Sequence, residues 1–166
     1  SNGRTSPSGG EYWGSSPWPA VMYLGLLVFS FCLLYLILLP LFAWFFGAPR
    51  PVFSRTTLWA LGVVALACLV IFSFTFSLND PLWRNRVQHG LGGGFLAFGL
   101  CFLAAKFSEI KLSRARFALF SFLLVTALGV LNEVIEFVLQ NYFDFFFTAK
   151  VNDTWLDLIS NWVGIL

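Results

Sequence analysis

A group of polar side chains lies inside an otherwise apolar sequence, and their types are those that transfer protons or bind metal ions. An ionisable group at membrane depth costs several kcal/mol unless it is paired, hydrated or binding something, so it marks a functional site by default. These residues therefore predict where the chemistry of the protein takes place. The group comprises Asn132, Glu133, Glu136, Gln140, Asp153, Asp157, Asn161 and the only histidine, His89.

The spacing of these residues predicts two polar helical faces. Glu133, Glu136 and Gln140 follow one another at i, i+3 and i+7, which is one face of a helix. At about 4 Å and an effective dielectric of about 20, two ionised carboxylates repel by roughly 4 kcal/mol. Facing stripes of carboxylates therefore need protonation, a bound cation or basic partners. The second stripe, spaced i, i+4 and i+8, is Asp153, Asp157 and Asn161.

Proton transfer is one chemistry that fits these residues, because a carboxyl group in a low-dielectric site exchanges its proton near neutral pH. We expect Glu133 or Glu136 to handle the proton and Asp157 to orient the reacting groups. Asn161 and Gln140 would support the site through hydrogen bonds. The candidate catalytic residues are Glu133, Glu136, His89 and Asp157.

A divalent metal ion is an alternative way to compensate the negative charge. Asp153, Asp157 and His89 offer the oxygen and imidazole ligands that such an ion takes. Arg84 and Arg86 fall at the same membrane face and offer compensation without a metal. A structural interpretation also stays open, in which Asp153 caps a helix and the stripes hold the helices together.

The composition is that of a membrane protein. Of 166 residues, 58% are hydrophobic and 11% are charged, whereas a soluble domain has about 25% charged residues. The net charge of +2 is too small and too scattered to indicate nucleic-acid binding. Cys32, Cys68 and Cys101 fall in apolar runs without the spacing of a metal site or a disulfide framework. The sequence predicts an all-α, polytopic transmembrane helical bundle.

Four to five membrane spans follow from the apolar runs, since about 20 apolar residues cross the hydrocarbon core. The fifth run reaches only about 21 Å at 1.5 Å per residue, so it is a half-span, a re-entrant piece or part of a longer helix. The glycine-rich stretch Gly90–Gly94 lacks the lysine of a phosphate loop and favours close helix packing instead. The predicted spans are Ala20–Phe46, Thr57–Ser77, Gly90–Ala105, Ala115–Gln140 and the run from Asp153 to Leu166.

Residues 1–19, rich in Ser, Gly and Pro, predict a flexible extramembrane tail ahead of a transmembrane domain at 20–166. One side of the membrane would carry Arg50, Arg55, Lys106, Lys111, Arg114 and Arg116, and the other Arg4, Arg84, Arg86 and Lys150. Basic residues are more abundant on the cytoplasmic side, so this bias predicts an external N-terminus. Alternating spans then place the helix ends that carry His89, Glu133 and Asp157 at one face, where a single polar cluster can form.

The order of these polar residues resembles the pattern of the VanZ-like family of small membrane proteins, in particular its YjdF-type branch. The likeness rests on a histidine opening one span, NEVIEF ending the next and NDTWLDLISNWVG opening the last, and it covers residues 80–166. It implies a helical protein of the bacterial cytoplasmic membrane, in a family with one branch linked to glycopeptide antibiotic resistance. It implies no particular reaction. The matching residues are His89, Glu133, Glu136, Asp153, Asp157, Asn161 and Gly164.

Two classes of function fit the sequence, and whether the protein is an enzyme stays open. In the first, the polar site binds or processes a lipid or another amphiphile at the outer leaflet, with or without a metal. In the second, the protein is a non-catalytic accessory subunit of a larger membrane complex, and its polar residues hold helices together. A proton or ion transporter is a third, disfavoured by four spans without an inverted repeat.

Overall fold

The computed structural model describes residues 18–49, 54–142 and 153–166, and every regular element among them is a helix. This confirms the predicted all-α class. The predicted N-terminal tail, apart from Trp18 and Pro19, lies outside the described residues. The helices are α1 (Trp18–Phe45), α2 (Arg55–Phe76), α3 (Pro81–Gln88), a π-helical segment (His89–Leu96), α4 (Ala97–Phe107), α5 (Arg114–Tyr142) and α6 (Asp153–Ile165).

Four helical stretches are long and apolar enough to cross a membrane: Val21–Phe45, Arg55–Phe76, Leu82–Phe107 and Arg114–Val138. The protein is therefore an integral membrane protein in contact with lipid. The 13 residues of α6 reach about 20 Å at 1.5 Å per residue, short of a hydrocarbon core of about 30 Å.

The third span begins well before its apolar run, because polar contacts stabilise α3. Asp80 caps this helix, and its carboxylate accepts a hydrogen bond from the backbone N–H of Leu82 at 2.8 Å. The Arg84 guanidinium donates to the carbonyl oxygen of Leu78 at 2.8 and 3.2 Å. It also lies 5.0 Å from the centre of the Phe76 ring. The α3 segment thus continues the span with Arg84 paired to a backbone carbonyl and its first turn capped by Asp80.

The third span is the centre of the bundle. In its most apolar stretch of 18 residues, 44% of the residues are buried inside the protein, against 22–28% in the corresponding stretches of the other three spans. Its α4 end packs against α1 and α2 in an apolar core. The buried thiols of Cys68 and Cys101 in that core behave as small hydrophobic groups. Fully buried core side chains include Tyr35, Leu38, Phe42, Val64, Cys68, Leu100 and Cys101.

Glycines let α6 lie directly against the π-helical segment. A Cβ on Gly94 would overlap the backbone carbonyl of Asn161 and lie 2.8 Å from the Cα of Gly164. A Cβ on Gly164 would in turn overlap the carbonyl oxygen of Gly90. The prediction that this glycine-rich stretch serves close helix packing is confirmed. The contact brings the polar face of α6 beside the start of the π-helical segment.

Candidate functional site

Three of the predicted site residues meet at one point of the bundle. His89, Glu133 and Asp157 each offer a potential ligand atom, and the three atoms lie within 4.8 Å of one another. His89 opens the π-helical segment, Glu133 lies on α5 and Asp157 on α6. Asp157 is 2% exposed and Glu133 is 8% exposed, so both carboxyl groups are shielded from the surroundings. We call these residues the His–Glu–Asp trio.

The trio lies near the ends of its spans. At about 1.5 Å per residue, His89 is about 10 Å from the span end at Leu82 and Glu133 about 8 Å from the end at Val138. The helix α6 begins at Asp153, only one turn before Asp157. The expectation that a single polar cluster can form at these helix ends is therefore confirmed for His89, Glu133 and Asp157.

Asp157 is bound from several sides. The Asn85 side-chain amide donates to both carboxylate oxygens, at 2.9 and 3.1 Å. The Arg86 guanidinium forms an ion pair with Oδ1, and the Nε2 atom of His89 lies 3.5 Å from Oδ2. A buried carboxylate needs this combination of charge and hydrogen bonds to offset its lost hydration. Basic and amide partners thus supply the compensation that the acidic stripes require.

Only one of the two predicted basic partners takes part in these contacts. Arg86 pairs with Asp157, whereas Arg84 binds a backbone carbonyl at the start of the span. Asn85 was not identified from the sequence as a residue of the site. Its spacing of i−4 from His89 was the available signal, because residues four apart share a helical face. An Asn between two arginines is typical of a loop, so this local context offered no reason to place Asn85 on the same helix as His89.

The second acid on α5 lies apart from the trio. Glu136 is half-buried, and its Oε1 accepts a hydrogen bond from the Asn132 side chain at 2.7 Å. Gln140 and Asp153 lie within α5 and α6, but their side chains are outside the described part of the protein. Their predicted supporting and metal-binding roles stay predictions.

Asn161 lies one helical turn deeper than the trio. It is 2% exposed, and its amide is flanked by Gly93 on the π-helical segment and Gly129 on α5. Gly93 follows His89 by four residues and Gly129 precedes Glu133 by four, so Asn161 occupies the layer beneath the trio. Side chains at either glycine would collide with the amide. The two glycines therefore make room for a polar group at this depth.

An open groove of about 390 Å³ runs between α5 and α6 and reaches the trio. Glu133 lies in its wall. The groove opens onto the outer surface of the bundle, where Phe137 is 60% exposed and Trp155 is 68% exposed. An apolar chain fits such a surface better than a polar ligand does. The apolar wall consists of Val130, Val134, Phe137, Trp155 and Leu158.

The site has to be interpreted from its own side chains. No family model, curated protein or solved structure matches this chain. The trio has the ligand types of a divalent-metal site. The guanidinium of Arg86, however, already binds Asp157 and would repel a cation placed there. Acid–base chemistry between Glu133 and His89 would need no such displacement.

Proposed function

We propose that this protein is a VanZ-like membrane protein that binds an amphiphile and transfers a proton at its head group. One observation carries the proposal: Glu133 belongs both to the His–Glu–Asp trio and to the wall of the apolar groove. An acyl chain lying along Phe137 and Leu158 would place its polar head beside Glu133 and His89. A buried polar site opening sideways into lipid suits a membrane amphiphile better than a water-soluble substrate.

Each residue of the trio has a distinct part in this proposal. Glu133 exchanges a proton with the head group, because it is the acid that borders the groove. His89 is its acid–base partner. Asp157, held by Asn85 and Arg86, orients the imidazole through its contact with Nε2. Such an orienting carboxylate keeps one tautomer and one ring position.

Location in a bacterial cytoplasmic membrane, with the N-terminus and the site outside, belongs to the same proposal. The basic residues Lys106, Lys111 and Arg114 support it, because they surround the connection between α4 and α5. A cysteine introduced as Glu109→Cys in this connection should escape an impermeant maleimide in intact cells and react after lysis. Labelling of intact cells would reverse the orientation.

Native mass spectrometry of protein extracted gently from its membrane tests the binding. We expect the wild type to retain a lipid and Leu158→Trp, which fills the groove, to lose most of it. Leu123→Trp is the matched control, because Leu123 is exposed on α5 and outside the groove wall. Glu133→Gln should weaken retention more than Glu136→Gln, since Glu136 lies outside the trio.

Two results would contradict the proposal. Equal lipid retention by wild type and Leu158→Trp would show that the groove holds no amphiphile. A protein partner in fixed stoichiometry, kept by every variant without any bound lipid, would make the chain an accessory subunit. In that case the trio serves to hold helices together.

A further inference from the structure

Asn161 carries an acceptor that nothing in the described part of the protein satisfies. Its Oδ1 atom is fully buried and has no hydrogen-bond partner among the described residues. Buried acceptors are almost always paired in folded proteins, so an unpaired one indicates a missing donor. The acceptor lies in the layer directly beneath the trio, because Asn161 follows Asp157 by one turn on the same face of α6.

The charges around this acceptor restrict the kind of head group that can supply the donor. An anionic group would approach the carboxylates of Glu133 and Asp157, which belong to the trio one helical turn from this acceptor. A cationic group would meet the guanidinium of Arg86, which already binds Asp157. A neutral group that donates hydrogen bonds meets neither repulsion. A hydroxyl group is the simplest head-group chemistry of this kind.

We propose that the amphiphile has an uncharged hydroxylated head group and that Asn161 is the residue that selects it. This inference rests on the proposed function, since it assumes that the groove between α5 and α6 holds the apolar chain. One hydroxyl donates to Oδ1 of Asn161, and a second lies against Glu133, where the proton is exchanged. Phosphate-headed lipids are excluded by the carboxylates, and lipids without a donor leave Asn161 unsatisfied.

Three probes with the same oleoyl chain test this selection: 1-monooleoylglycerol, 1-oleoyl lysophosphatidic acid and methyl oleate. Each is titrated into the purified, delipidated protein, and binding is followed by native mass spectrometry. We expect 1-monooleoylglycerol to bind about tenfold more tightly than either of the others, which is the effect of about one satisfied buried hydrogen bond. Because this series uses only wild-type protein, it does not depend on the folding of any variant.

Asn161→Leu assigns the selection to its residue. The substitution keeps a similar volume and removes the acceptor, so most of the preference for 1-monooleoylglycerol over methyl oleate should be lost, while the affinity for methyl oleate should not change. Ser160→Ala is the control, because the Ser160 hydroxyl donates to the backbone of its own helix, at the Leu156 carbonyl. It should keep the tenfold preference.

The outcomes separate the inference from the function on which it rests. Equal binding of the three probes, tightest binding of lysophosphatidic acid, or an unchanged preference in Asn161→Leu would overturn the selection by Asn161 and leave the groove as a lipid site. Binding of none of the probes would instead remove the proposed function together with the inference.

Discussion

The two ends of the third span are built on different principles. At its α4 end, Leu100, Cys101 and Ala104 are fully buried among apolar side chains of the neighbouring spans. At its other end, the π-helical segment packs through glycines, and Arg86 and His89 contact a buried carboxylate. The apolar end depends on volume, and many side chains of similar size would fill it. The polar end depends on individual partners, and each has few acceptable replacements.

Loss of the ion pair should have the largest effect of any single change at the polar end. Arg86→Met leaves the buried carboxylate of Asp157 without its guanidinium partner, and we expect the free energy of unfolding to fall by about 3–5 kcal/mol. SDS titration of the purified protein in detergent micelles measures the change.

The double variant Arg86→Met/Asp157→Asn sharpens the test. It removes the buried charge together with its partner, so most of the lost stability should return. If the double variant is as unstable as Arg86→Met alone, the effect comes from the packing of the long arginine side chain. The stability of the polar end would then depend on side-chain volume, as that of the apolar end does.

An intermediate effect is expected from Gly94→Ala, which sets a methyl group against the backbone of α6. Overpacking of this kind costs about 1–3 kcal/mol, and displacement of α6 would also move Asp157 away from His89. The same SDS titration, combined with the lipid-retention measurement, reports both consequences. Unchanged stability with lost lipid retention would mean that α6 moves without a packing penalty.

The smallest effect is expected from Gly99→Ala, which is the matched control on the α4 side of the same span. A Cβ at Gly99 meets no atom within 4 Å, and alanine is the better helix former by up to about 1 kcal/mol. Stability should therefore stay the same or rise slightly. A loss as large as that of Gly94→Ala would show that the glycines act through backbone flexibility along the whole span.

The sequence was sufficient to predict the helical class and a bundle of four to five spans, and to indicate that His89, Glu133 and Asp157 could meet in one cluster. These features follow from local hydrophobicity and from alternating topology, both of which can be read from one chain. The shared helical face of Glu133 and Glu136 was a weaker guide. Spacing gives the direction of a side chain, but it does not decide how far each one lies from a neighbouring helix.

The start of the third span and the part played by Asn85 could not be predicted in the same way. Asn85 and Arg86 are paired inside the protein with Asp157, which lies 72 and 71 residues later. A segment with such polar residues has the composition of a loop when it is considered alone. The Asp80 cap is a local signal for the start of the helix, but the inclusion of Asn85 and Arg86 in the span depends on tertiary contacts, which no local pattern contains.

The π-helical segment has a mechanical consequence for the whole span. Its i→i+5 hydrogen bonds turn the chain through a smaller angle per residue than an α-helix does, so the segment sets the rotational phase between α3 and α4. In this continuous helical span, Arg86 and His89 therefore face α6 while Leu100 and Cys101 remain in the apolar core. Insertion or deletion of one residue within His89–Leu96 would change that phase. One end of the span would then rotate away from its partners while the other end kept its own.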